Sequence, residues 1–312
     1  MADRNTLLAI LELDCAPDTL IDRSAWIAKA FSLDVHLVLY APDSGALLGG
    51  FSLSNEADRI RESIHQGQKV VVEEYADKLR DAGLEVTTGV LQLRPLGDGV
   101  LNIAKFVNPK LVVKSTTSHS AAERSVLVDS DWQLMRICPY PLWFAKSDSM
   151  PEKPTIVAAV DPSNANDKPA VLDHEIVRSA KVVADATDGE VQLVHVYERL
   201  AGINKAAMRA INPEVLPIDE IDARIKAEHR SALDALTSDC GLDAEQAHQL
   251  PGRTHEIIPT FVRTRKTGLL VMGALARWGI KKMVIGSTTE RVIDHVDCDI
   301  LIVRLSEYQL YD

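Results

Sequence analysis

The feature that most constrains this chain is that it repeats itself. A repeat of this length means that one fold is built twice. Five stretches of the first half return in the second, in the same order. "LAILELD", ending at Asp14, is answered by "TIVAAVD", ending at Asp161. "DVHLVLY" is answered by "EVQLVHV", "DAGLEVTTGVLQL" by "DCGLDAEQAHQL", "PKLVVK" by "TGLLVMG", and "RICPYPLWFAK" by "HVDCDILIVR". The offset grows from 147 residues at Asp14 and Asp161 to 160 at Cys138 and Cys298, so the second half carries longer loops, much of the growth falling at "DPSNANDKPAVLDHE". The join, "AKSDSMPEKPT", is polar and contains proline, as linkers do. The expected domains are residues 1–150 and 151–312, which suits a 312-residue chain at roughly 150 residues per domain.

Within each half, short β-branched runs alternate with longer amphipathic ones. Residues 6–13, 34–40, 84–92, 110–114 and 141–145 read as buried parallel strands, and so do 154–160, 190–197, 243–249, 268–272 and 299–303. "EADRIRESIHQGQKVVVEEYADKLRDAG" and "DEIDARIKAEHRSALDALTSDCG" read as helices, each closed by a glycine at the C-cap. Strands alternating with helices give right-handed βαβ units. The predicted fold is α/β, with two tandem doubly wound parallel five-stranded sheets of order 3-2-1-4-5. Ligands of such sheets bind beyond the carboxyl ends of the strands. Asp14, Asp161 and Gly273 are expected at those ends.

The net charge of −11 argues against nucleic acid and anionic membrane as partners, since both reward a basic surface. No run of about 18 apolar residues is present, so no membrane span is expected. The start lacks a signal-peptide layout, and the four cysteines, far apart and without a CxxC pair, suit reduced thiols in a cytoplasmic protein. They are expected to be structural. The nine histidines are scattered, and no metal site is expected. No Ser/His/Asp or paired-carboxylate pattern and no P-loop motif occurs, so no catalytic residue is assigned.

One stretch calls for more: "LLVMGALARWGIKKMVIGSTTERV", residues 269–292. Gly273 ends an apolar run, and Gly286 precedes Ser287 and Thr288 at a predicted helix start. A helix start offers unpaired N–H groups and the positive end of a dipole. Gly286 would let a phosphate approach, Ser287 and Thr288 would add hydroxyl donors, and Arg277, Lys281 and Lys282 would add charge. The same residues also suit a plain turn with a hydroxyl cap.

These motifs, with "VAAVDPS", "LVHVYE", "GSTTERVIDHVDCDILIV" and "DWQLMRICPYPLWFAK", resemble the universal stress protein family in its tandem two-domain form. The family's nucleotide motif is Gly, two residues, Gly, nine residues, then Gly followed by Ser or Thr. The resemblance carries it onto Gly273, Ala276, Gly286 and Ser287, with Thr288 next; Ala276 departs from glycine. It carries the first-strand aspartate onto Asp161, followed by Pro162, and the backbone position facing adenine onto Val196. The first half has Lys114 or Ser115 in place of the first glycine and "SVLVDSDW" in place of the Gly-Ser corner. The resemblance therefore implies a stress-response binding module with ATP or ADP in the second half only. It also implies that the halves pair through their last strands, "YPLWFAK" and "DILIVRL", as an intramolecular pseudo-dimer. A non-nucleotide adaptor and a weak ATPase are the alternative readings, and no protein partner is specified. Two segments rich in apolar residues, "APDSGALLGGFSLSN" and "ERLAGINKAAMRAINPE", would form lids after the second strand of each half.

Overall fold

The computed structural model describes residues 5–42, 55–116, 129–147, 149–163, 171–199, 217–274, 291–305 and 310. They fall into two compact units, the first running to Ser149 and including Leu310, and the second running from Met150 to Glu307.

In the first unit the order is β1 (Thr6–Leu11), α1 (Pro17–Phe31), β2 (Asp34–Tyr40), α2 (Asn55–Asp81), β3 (Val86–Leu91), α3 (Leu96–Val107), β4 (Leu111–Ser115), α4 (Asp129–Ile137) and β5 (Leu142–Ala145). The strands lie in the order β3-β2-β1-β4-β5, all parallel. Leu7 to Leu11 have no solvent exposure, because β1 is central and covered on both faces. The second unit repeats the plan with β6 (Thr155–Val160), α5 (Val171–Thr187), β7 (Glu190–Tyr197), α6 (Ile218–Asp239), β8 (Ala247–Pro251), α7 (Thr254–Thr264), β9 (Leu269–Gly273) and β10 (Asp299–Val303). Its order is β8-β7-β6-β9-β10, again parallel. Both units thus have the expected 3-2-1-4-5 order.

The two long helices end as their glycines foretell. Gly83 (φ 87°) and Gly241 (φ 64°) are left-handed. The next residues, Leu84 and Leu242, donate back to the carbonyls of Leu79 (3.2 Å) and Thr237 (3.0 Å), closing the last turns.

Strand register corrects one pairing made from sequence. Thr6 pairs with Asp34, and Thr155 pairs with Glu190. β1 and β6 each run six residues from those points, ending at Leu11 and Val160. The residue that follows β1 as Asp161 follows β6 is therefore Glu12, not Asp14. The chain has already turned at Asp14: Cys15 N–H donates to the Glu12 carbonyl at 3.2 Å, and Asp14 is exposed.

Among the described residues no helix is long and apolar enough to cross a membrane. All four cysteines are free thiols, with Cys138 and Cys298 buried. The segments expected as lids lie almost entirely outside the described residues.

Candidate functional site

The carboxyl ends of β6, β7 and β9 bring three of the anticipated residues together. Asp161 follows the last residue of β6. The β6–β7 ladder ends at Val160 opposite His195, so Asp161 and Val196 are the next residues along their strands. Gly273 ends β9, two positions beyond the Ala158–Val271 pair and so level with Val160. Pro162 follows in the turn after β6, half-buried. Ala276, Gly286, Ser287 and Thr288 lie outside the described residues.

Asp161 is held from two sides. Its backbone N–H donates to Asp173 Oδ1 at 2.9 Å, and Ser163 Oγ donates to its Oδ1 at 3.0 Å. Behind it lies His195, wholly buried, with Nδ1 at 3.9 Å from Asp161 Oδ1 and 3.1 Å from the Val160 carbonyl. A carbonyl can only accept, so Nδ1 of His195 carries a proton. Its Nε2 is then the acceptor, and His229 Nδ1, at 2.7 Å, donates to it. The rings are nearly parallel, with 18° between planes, and Tyr197 lies against His229 at 5.4 Å between ring centroids. Burial pushes the His195 imidazole below its usual range, more than the Val160 carbonyl and Asp161 pull it back. It is therefore neutral at pH 7.

The backbone of Val196 has its own distinction. Residues of a parallel strand turn their N–H and C=O groups alternately to the two neighbours. Glu190 N–H donates to Pro154 O on the β6 side (3.0 Å), and Gly252 N–H donates to Tyr197 O on the β8 side (2.9 Å). Even-numbered residues of β7 therefore face β6, and the Val196 carbonyl is directed at position 162. Pro162 has no N–H to give. The first unit lacks this feature: the matching pair there is Tyr40 and Leu13, and leucine keeps its N–H.

Gly273 has a structural reason to be glycine. A Cβ there would lie 2.8 Å from Leu172 Cδ2 and 3.0 Å from Ile176 Cδ1, both on α5. The missing side chain lets α5 pack against the end of β9.

Sequence reasoning missed His195, His229, Asp173 and Ser163. A signal for His195 was present, since a histidine inside "LVHVYE" falls in a buried strand just before its carboxyl end. His229 and Asp173 lie on helices 34 and 12 residues from their partners, and nothing local marks them. Among the described residues no group of three His, Cys, Asp or Glu side chains is spaced to hold a metal ion.

Comparison with known proteins agrees with this architecture. The family described as "Universal stress protein family" matches residues 154–304. Universal stress protein E of Escherichia coli strain K12 is 27% identical over 256 residues, covering 82% of this chain and 79% of that protein. Universal stress protein E of Photorhabdus laumondii is 24% identical over 307 residues, covering 97% and 96%. The fold is shared with a universal stress protein from Archaeoglobus fulgidus, at a TM-score of 0.66 and 17% identity, with 97% of this chain and 99% of that one covered. Residues 154–304 thus belong to the universal stress protein family, and the chain is similar to universal stress protein E along most of its length.

Proposed function

We propose that the chain is a stress-response binding module whose second half takes one adenine nucleotide, ATP or ADP, and that it is not an enzyme. The observation that carries this reading is the Val196 carbonyl, which faces the β6 side toward Pro162, with Asp161 the next residue along β6. An exposed strand-end carbonyl accepts from the amino group of adenine, and a carboxylate next to it accepts from ribose hydroxyls. Gly273 is the motif position nearest the phosphates among the described residues, and Ala276, Gly286, Ser287 and Thr288 complete the motif in sequence. Pro162→Ala tests the carbonyl directly. It restores an N–H that can close onto Val196, so affinity for ATP falls several-fold in a calorimetric titration. Undiminished affinity would remove the carbonyl from the site. Phosphate release from ATP is expected to stay at the level of a protein-free blank.

A second reading is favoured by Gly273. Its lack of a side chain is accounted for by Leu172 and Ile176, with no nucleotide needed. On this reading the motif is structural and the chain acts as a non-nucleotide adaptor for a protein or an apolar molecule. The absence of any heat with millimolar ATP would decide for it.

A further inference from the structure

The first unit has filled the corresponding position with charges of its own. Leu7 pairs with Leu111 as Ile156 pairs with Leu269, so Lys114 stands at the position of Met272 and Ser115 at that of Gly273. Lys114 is 1% exposed, the one charged residue in a strand that is buried throughout. A buried ammonium is costly unless paired and hydrogen-bonded. Here Nζ lies 2.7 Å from Glu12 Oε2 and 2.7 Å from Asp131 Oδ1, and donates to the Ser115 carbonyl at 3.0 Å. Thr116 Oγ1 donates to the other oxygen of Asp131 at 2.6 Å. Ser115 Oγ donates to the Cys15 carbonyl, and Cys15 Sγ donates to the Ser115 carbonyl at 3.4 Å. Burial alone pulls the Lys114 ammonium down, but Asp131 and Glu12 outweigh it and hold the group above its ordinary range.

The segments joined in this way are the turn after β1, the end of β4 and the first turn of α4. The first two carry Asp161 and Gly273 in the other unit. Glu12, at the position of Asp161, is spent on Lys114.

We propose that Glu12, Lys114 and Asp131 form an internal ion triad that takes the place of a bound ligand in the first unit and holds that end of the sheet closed whether or not nucleotide is present. This goes beyond the reading of the second unit and does not rest on it, since every residue involved belongs to the first.

Thermal melting of three forms of the full chain at pH 8 and pH 5, with amide exchange in the presence of ATP, tests the triad. Lys114→Met leaves two buried carboxylates facing each other without their cation. The carboxyl pKa values in that folded variant rise above their unfolded values, so stability is kept in acid and lost as pH rises. The melting temperature of the first unit is expected to fall on the order of 10 °C at pH 8 and by less than half as much at pH 5. Glu12→Gln with Lys114→Met and Asp131→Asn removes all three charges, and is expected to recover most of the loss at pH 8. If Lys114→Met fails to fold while the triple variant folds, the charge reading stands. If both fail alike, or if Lys114→Met shows an equal deficit at both pH values, Lys114 serves packing alone and the triad is refuted. Millimolar ATP is expected to leave amide exchange at Glu12–Cys15 and in α4 unchanged. Protection there would show a ligand entering the first unit and would overturn the proposal, whatever the second unit does.

Discussion

His195 sets a condition on the second unit. It is neutral, buried, and bonded at both ring nitrogens, so a second ring proton has to displace the bond from His229. Its folded pKa lies below the unfolded value of about 6.5. Stability from this group is therefore present above pH 6.5 and lost as pH falls further. His248, in the same unit, is pushed down by burial as well and acts in the same direction, as His36 does in the first unit. Urea unfolding between pH 7 and pH 5 is expected to show falling stability of the second unit, with a shallower slope in His195→Gln. An identical slope would mean that His195 is not a source of the loss. Gly273 gives a second test at this scale. Gly273→Ala forces Leu172 and Ile176 to move, and overpacking of this kind costs about 1–3 kcal/mol, read as a lower urea midpoint. The glycine was visible in the sequence and its neighbours were not, because Leu172 and Ile176 reach it from a helix about a hundred residues earlier. Asp161 was legible as a strand end because it breaks an apolar run, whereas Val196, inside β7, was singled out by the family resemblance alone.

At the level of elements, all ten strands were legible, since a buried parallel strand writes itself as a β-branched run. The eighth was displaced. Residues 243–249 read as strand, but Ala244–Gln246 form a turn of 3₁₀ helix and β8 covers Ala247–Pro251. The cause is the side chain of Gln246. Its Oε1 accepts from the Asp243 N–H at 2.9 Å and its Nε2 donates to the Val191 carbonyl at 2.9 Å, which outweighs the short strand-like pattern. Gln246→Ala removes both bonds and is expected to cost about 1–2 kcal/mol, measured by chemical unfolding. An unchanged midpoint would show that the turn forms without them. The register slip between Glu12 and Asp14 has a similar origin: aspartates look alike in a string, and only hydrogen-bond pairing shows which acid stands at the end of a strand.

For the molecule as a whole, two units of one topology differ in charge and backbone at the carboxyl ends of their sheets. In the second, Asp161 follows β6 and the Val196 carbonyl faces the β6 side, toward Pro162. In the first, Glu12 is paired with Lys114, and leucine stands where the second has Pro162. Repetition of the fold was legible because topology follows hydrophobic pattern, which both halves keep. The divergence of the edges was legible only in part, as missing glycines, because the triad draws its residues from three separate segments. Isothermal titration calorimetry of the intact chain with ATP bears most directly on this asymmetry. One site per chain is expected, lost in Asp161→Ala and retained in Glu12→Gln. Two sites per chain, or a single site lost in Glu12→Gln and kept in Asp161→Ala, would contradict it.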